Sequence, residues 1–337
     1  RRLIAIGTVM AGMSWVLSAQ VNGLATLWLV YGCMGGLGTG IVYIGVVGLM
    51  VKWFPQQRGF AAGAVAAGYG MGAIITTFPI SLSLTTNGLE HTLTTFGILF
   101  ALVGFLASQG LKLPPPAVSQ PVSQTVAQSS RSFTSREMLR QPLFWLMFAM
   151  MAMMSTSGLM VTSQMAVFAE DFGISQAVVF GMAALPLALT IDRFTNGLTR
   201  PLFGFISDRF GREQTMFIAF ALEGVAMMLW LACREDPLLF VLLSGVVFFG
   251  WGEIFSLFPS TLTDTFGSEH AASNYGWLYI SQGIGSIFGG PLAALLYQHT
   301  HGWHVVFSCA IGLDFVTAVL ALWVLKPWRA RFIRQHS

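Results

Sequence analysis

The sequence predicts an all-α membrane protein built as two pseudo-symmetric helix bundles, with ten transmembrane helices present of an expected twelve. Three observations lead there. Only 9% of the 337 residues are charged and 55% are hydrophobic, against roughly a quarter charged in soluble domains, and the mean hydropathy is +0.70. That apolar content exceeds what one soluble core of this size buries, so lipid is part of the solvent. Apolar stretches also recur at the length a spanning helix requires, about 20 residues for roughly 30 Å of hydrocarbon. Finally, the chain repeats itself.

Taken in order, the spans fall at about 3–20, 24–50, 60–84, 93–112, 142–169, 177–205, 215–233, 238–262, 272–297 and 304–325. Between the fourth and fifth, Leu113 to Arg140 carries Pro114, Pro115, Pro116 and Pro121, then a Ser/Gln-rich run with Arg131, Arg136 and Arg140. Such a segment is a polar linker. The expected organisation is an N-terminal bundle over 1–112, four helices with the first two missing, a cytoplasmic linker over 113–141 and a six-helix bundle over 142–337. The repeat explains the asymmetry. GFISDRFGRE (Gly204 to Glu213) is a loop between helices, and Arg1-Arg2 looks like the tail of an earlier copy; Arg1 to Arg212 is an offset of 211, while Gly63 to Gly276 and Gly72-Ala73 to Gly285-Ser286 are offsets of 213. The second copy has two helices before its loop, so the first is expected to have lost about 70 residues of a parallel repeat.

Orientation follows from the basic residues. Of 17 Lys+Arg, Arg193 and Arg200 lie within a predicted helix. With Arg1 inside, every other one falls on the cytoplasmic side except Arg234, so the positive-inside rule places both termini in the cytoplasm of an inner or plasma membrane. A net charge of +3 is too small to imply nucleic acid. Cys33, Cys233 and Cys309 stand far apart with no CxxC, so no disulfide framework, metal site or cofactor is indicated.

Arg193, Asn196 and Arg200 are spaced i, i+3, i+7 and form one polar stripe. A guanidinium in hydrocarbon costs at least ~2.5–3.5 kcal/mol, so it faces a cavity or an acid. In one reading Arg200 receives a substrate carboxylate bidentately; in the other it pairs with Glu253, Glu223 or Asp192 and only holds helices together. Arg193, beside Asp192, fits a structural pair better. Tyr275, Tyr279, Gln282 and Ser286 form a second stripe whose phenols and amide can bind carboxylate oxygens without adding charge, or can seam two helices. Trp251, Phe255 and Phe258 form an aromatic stripe able to sieve a small planar anion, or simply to pack. Glu253 lies about 200° round the helix from Trp251 and is either paired or a proton carrier. Glu223 and Asp314 are buried singletons without an assigned role.

GFISDRFGRE resembles the major facilitator loop signature G-x-x-x-D-R-x-G-R-R/K, with Glu213 in the last basic place, and KWFPQQRGFAAG (Lys52 to Gly63) is similar to the loop between the fourth and fifth helices of that superfamily. DRFTNGLTRPLFGFISDRFGRE, WGEIFSLFPSTLTDTFG and NYGWLYISQG together resemble the oxalate:formate antiporter family over essentially the whole chain. The resemblance implies two bundles rocking about a central site, in which an arginine and a lysine amid aromatic rings bind a dianion. The matching positions are Arg200 and, in place of the lysine, Gln282. Trp251 matches an aromatic position, and Phe255 stands where a tyrosine is expected. Asp208, Arg209 and Arg212, at the cytoplasmic mouth, are implied as a conformational latch, or else anchor the topology.

The expectation is therefore secondary transport of small carboxylate anions by a monomer in the lipid bilayer, by oxalate/formate-type exchange. The substrate-binding residues would be Arg200, Gln282, Trp251, Phe255 and Tyr279. One arginine without its lysine balances a monoanion such as formate, lactate or pyruvate more simply than oxalate. The rival is proton-coupled monocarboxylate symport through Glu253. An intramembrane enzyme finds no support, since His91, His270, His299, His301, His304 and His336 fall in loops or tails and neither HExxH nor GxSxG occurs. A transport-dead sensor would bind ligand without flux. The glycine-rich runs lack GxxxxGK[ST], so ATP-driven transport is not indicated.

Overall fold

The computed structural model describes residues 1–115 and 126–336. Part of the expected linker, including Pro116 and Pro121, lies outside the described residues. The helices run α1 (Arg2–Ser18), α2 (Leu24–Trp53, with a π-helical stretch over Trp28–Gly35), α3 (Arg58–Gln109), α4 (Ser135–Leu139), α5 (Pro142–Thr162) and α6 (Met165–Asp171). After a two-stranded hairpin, β1 (Val178–Val179) with β2 (Met182–Ala183), come α7 (Ala184–Phe210), α8 (Arg212–Ala232), α9 (Pro237–Trp251), α10 (Ile254–Phe266), α11 (Ala271–Thr300) and α12 (Trp303–Gln335). Seven helical stretches among the described residues are long and apolar enough to cross a membrane, α9 and α10 counting as one. The expected number was ten. The difference lies in α1, 17 residues long, in α7, interrupted by Asp192, Arg193 and Arg200, and in α3, which carries two expected spans.

α3 shows why. Its 52 residues would extend about 78 Å if straight, more than twice a bilayer core. At Gly88 φ is 79° and ψ 176°, a conformation that L side chains avoid. The Ser83 and Thr92 hydroxyls, which nine helical residues would hold about 13 Å apart, are 2.8 Å apart. The chain therefore folds back at Gly88. The returning half lies antiparallel to α1, with Gly97 against Gly12, Phe100 on Trp15 at 5.4 Å and Gly104 against Thr8.

Other boundaries also differ from the apolar pattern. The sixth span begins at Ala184, because Val178–Ala183 forms a hairpin whose two central residues, Phe180 and Gly181, have φ of 50° and 80°, as a tight primed turn requires. The fifth span ends at Thr162. Asp171, just beyond, accepts from Tyr297 Oη and Trp303 Nε1, both at 2.7 Å, tying α6 to α11 and α12. Ahead of α5, Thr134 and Glu137 make a reciprocal cap on α4.

The packing that positions the site is between α3 and α7, which run antiparallel with their backbones touching. A methyl group on Gly59, Gly63 or Gly204 would collide with the opposing main chain, at Gly204, Arg200 and Gly59 respectively. Small residues are what let two helices approach this closely in lipid. Beyond Gly197, which sits against Met71, the pair separates, and a cavity of about 530 Å³ opens between Ile74, Thr77 and Phe78 on one side and Pro186, Thr190, Arg193 and Phe194 on the other. The two helices are thus joined at the end that meets the linker and apart at the other. Gly63→Ala is expected to displace the Arg200 main chain, costing about 1–3 kcal/mol of overpacking. A lowered melting temperature would show it; an unchanged one would refute the backbone contact.

Candidate functional site

Arg200 sits one residue before Pro201, which removes the N–H that would bond the Gly197 carbonyl and loosens this turn of α7. The residue is 8% exposed. Nη1 donates to the Ala66 carbonyl at 2.6 Å and Nη2 to Asn196 Oδ1 at 2.7 Å, while Nε has no acceptor. The guanidinium lies over the Phe255 ring, 4.5 Å from its centroid, a cation–π contact of about 0.5–2 kcal/mol. Among the described residues no carboxylate forms an ion pair with it. The group is oriented by neutral oxygens and keeps its charge uncompensated. Gly70 leaves the open side free, since a methyl there would stand 3.1–3.2 Å from the guanidinium.

Around it the aromatic residues form a continuous wall. Phe255 meets Trp251 at 5.9 Å and Tyr279 at 6.3 Å, and Tyr279 meets Tyr275 at 5.5 Å and Tyr43 at 5.3 Å. Tyr43 also contacts Tyr69 at 5.1 Å, and its hydroxyl is 3.5 Å from that of Tyr275. α2, α3, α9, α10 and α11 all contribute. Tyr43 and Tyr69 were not among the sequence candidates; the available signal was a phenol inside an otherwise apolar helix. Gln282 is one turn beyond Tyr279, half-buried, with Oε1 lacking a donor and no hydrogen bond to Arg200 among the described residues. Trp251 Nε1 donates to the Met154 carbonyl at 3.1 Å and the ring packs on Gly158, so this indole offers an edge and no free donor.

Three expected placements are corrected. Phe258 leaves the aromatic stripe and stacks on Phe220 at 6.1 Å, because α9 and α10 are separated by a turn at Gly252 and Glu253 where Phe255 N–H reaches back to the Gly252 carbonyl at 3.4 Å. Gly252 abuts Asn196 and Thr199 of α7, which hold the turn by donating to the Phe248 and Phe249 carbonyls. Arg193 is exposed beside the 530 Å³ cavity and forms no ion pair with Asp192. Nor is Glu253 in a salt bridge among the described residues: it is 0% exposed, and neither carboxylate oxygen has a hydrogen-bond partner among them.

Arg200 is about 12 Å along α7 from Asp208, where the linker-side end is closed by charge. Asp208 accepts from the Gly59 and Phe60 N–H groups at 2.9 and 2.8 Å, capping the start of α3, and pairs with Arg212 at 2.7 Å. Arg212 Nε and Arg58 Nη1 each reach Asp264 at 2.8 Å. Two carboxylates and two guanidiniums, all under 9% exposed, thus join α3, α7, α8 and α10. A buried network of this kind persists because every charge has its counterpart. Arg58 and Asp264 were missed as site candidates, although both lie in quoted motifs at predicted helix ends. Arg209 stands outside the network, exposed, with its guanidinium 4.2 Å from the Phe205 centroid. A second pair, Arg329 with Glu213 at 2.7 Å, gives the unusual acid in the GFISDRFGRE loop its partner.

The sequence matches the Major Facilitator Superfamily over residues 1–194 and again over 185–336. It is 30% identical over 324 residues to the oxalate:formate antiporter of Oxalobacter formigenes, spanning 96% of this chain and 75% of that protein. It is 28% identical over 287 residues to YhjX, an uncharacterized MFS-type transporter of Escherichia coli (strain K12), covering 85% and 69%. Among solved structures, FucP, a Major Facilitator Superfamily transporter in the outward conformation, superposes with a TM-score of 0.65 at 16% identity, covering 94% of this chain and 82% of that one. This chain belongs to the Major Facilitator Superfamily of membrane transporters.

Proposed function

We propose that this protein moves small carboxylate anions across an inner or plasma membrane by exchange, with Arg200 as the anion anchor. The observation that carries the reading is a deeply buried guanidinium held by two neutral oxygens, with Nε free and no ion-paired carboxylate among the described residues. A buried charge without a counter-ion costs several kcal/mol, and an arriving carboxylate offsets it. The similarity to an oxalate:formate antiporter agrees in substrate class. Tyr279, Phe255 and Trp251 would flank the anion, and Gln282 would give it a neutral partner. The linker face would be cytoplasmic, and the Asp208–Arg212–Asp264–Arg58 network would hold that side shut while the opposite face is open. Residues 1–112 and 142–337 would be the two moving bundles.

Counterflow in proteoliposomes tests this. Labelled formate should enter vesicles preloaded with unlabelled carboxylate without any imposed pH gradient, and uptake driven only by an acid-outside gradient would overturn exchange. That second outcome belongs to monocarboxylate symport with a proton, which one observation favours: the buried, unpaired Glu253. Gln282→Lys should add a second positive charge to the site and shift selectivity toward dianions. Competition of oxalate against labelled formate is expected to rise about tenfold, the equivalent of ~1.4 kcal/mol; an unchanged ratio would remove Gln282 from the site.

A further inference from the structure

The 530 Å³ cavity between α3 and α7 has no part in the site above. Its walls are mostly apolar, with Ile74 and Phe78 on α3 facing Pro186, Leu189 and Phe194 on α7. Phe78 and Phe194 are both more than half exposed, so the described chain leaves the opening uncovered. Thr190, also in the lining, spends its hydroxyl on the Pro186 carbonyl of its own helix at 2.8 Å. One cation stands in this surround. Arg193 lines the cavity, is exposed, and forms no ion pair among the described residues. The adjacent Asp192 is buried, about 100° away round the helix, and the α3 wall of Ile74, Thr77 and Phe78 presents no acid.

The depth of Arg193 fits a membrane headgroup. Asp208, at the linker end of α7, lies about 22 Å further along the axis, and the hydrocarbon core is roughly 30 Å thick. With Asp208 at one edge of that core, the Arg193 backbone is about three quarters of the way across, and a side chain of this length extends to the headgroups of the leaflet away from the linker. An unpaired guanidinium there calls for an anion. A small water-borne anion would gain the charge contact and nothing from the walls. A phospholipid brings both parts: a phosphate that accepts from the planar fork and an acyl chain that packs against Ile74, Phe78 and Leu189.

We propose that a phospholipid of net negative charge seats in this cleft, its phosphate on Arg193 and an acyl chain between α3 and α7, and holds the two helices apart at the end away from the linker. Zwitterionic lipid fits less well, because its own ammonium group already balances the phosphate. The space exists because the pair parts beyond Gly197. A lipid shaped to it binds this arrangement better than one in which the parted ends have met, and shifts the population by that difference in affinity. The same helices touch through their backbones at Gly59, Gly63 and Gly204, so keeping one end apart keeps the linker end together. The seat is independent of what Arg200 carries. Only its consequence for exchange rests on the two-bundle reading, and the tests below need no transport.

Two measurements on the full chain in lipid nanodiscs test it, with the three cysteines replaced by serine. A bimane fluorophore on Ile75→Cys, exposed beside the cleft, reads the lipid next to it. Nitroxide-labelled phosphatidylglycerol should occupy that position about fivefold in preference to nitroxide-labelled phosphatidylcholine, seen as stronger quenching at equal mole fraction. Arg193→Gln should bring the two lipids level, and so should Thr190→Trp, which fills the cleft and keeps the charge. Equal quenching with Arg193 and Thr190 in place, or a preference that survives in Arg193→Gln, overturns the seat. A preference that survives in Thr190→Trp belongs to exposed charge alone and overturns it too. Inorganic phosphate that abolishes the preference at constant ionic strength would give Arg193 a water-borne anion instead and reject the lipid. In the second measurement, Ala62→Cys should react with a hydrophilic thiol reagent about fivefold more slowly when phosphatidylglycerol is added to phosphatidylcholine, and Arg193→Gln should remove the difference. Equal rates in the two bilayers, or a difference that persists in Arg193→Gln, would show that the lipid does not hold the helices apart.

Discussion

Replacing Arg200 by alanine is expected to abolish carboxylate uptake while the protein still inserts and accumulates in the membrane. The guanidinium contributes little to stability that its removal would forfeit, since its partners are a backbone carbonyl, Asn196 and an aromatic face, and a buried uncompensated charge is itself costly. What disappears is the proposed anchor of the anion. Two charge-assisted hydrogen bonds are worth about 1.5–3 kcal/mol each, so uptake at subsaturating substrate should drop roughly 100-fold or more at 1.4 kcal/mol per decade. Arg200→Lys preserves charge and loses the planar fork, and should retain a small but measurable rate. Uptake at the normal level in the alanine variant would reject the anchor assignment.

The second large effect is expected at Asp264. Its two oxygens separately receive Arg58 from α3 and Arg212 from α8, so Asp264→Asn leaves two buried guanidiniums competing for one carboxylate, Asp208. Removing one partner of a buried ion pair costs about 3–5 kcal/mol. The penalty falls on the arrangement closed at the linker end, and opening that end to water relieves it. In a background with Cys33, Cys233 and Cys309 replaced by serine, a cysteine at Ala62, 0% exposed here, should react with a hydrophilic thiol reagent at least about tenfold faster when Asp264 is also replaced. An unchanged labelling rate would show that the network does not hold this face closed. Substituting Arg209, which only covers Phe205, should leave labelling as it was.

Arg200 and the α10–α11 aromatic residues were legible for a simple reason. A charge or phenol inside an apolar run is expensive in lipid, and helical spacing tells which of them share a face. The same spacing argument failed at Phe258, where the turn at Gly252 and Glu253 interrupts the helix and resets the face. It also overextended the sixth span into a β-hairpin, because Val178, Val179 and Met182 are as apolar as any helix residue. Tyr43 and the Ala66 carbonyl reach the site from α2 and α3 across contacts with residues more than 130 positions away that no local pattern encodes, and Tyr69 joins it through Tyr43.

Composition and periodicity by themselves determined that this chain lives in lipid, that it is helical and that Arg200 carries a charge needing an answer. Those are one-body properties: each follows from the cost of placing a side chain or a peptide group in hydrocarbon. Whether Arg200 is ion-paired or left open, whether Glu253 has a salt-bridge partner, and whether Arg58 and Asp264 meet were decided only by the tertiary structure. These are pairwise electrostatic outcomes, set by which helices the glycines of α3 and α7 bring into contact, and in a medium without water each such pairing or its absence is worth several kcal/mol.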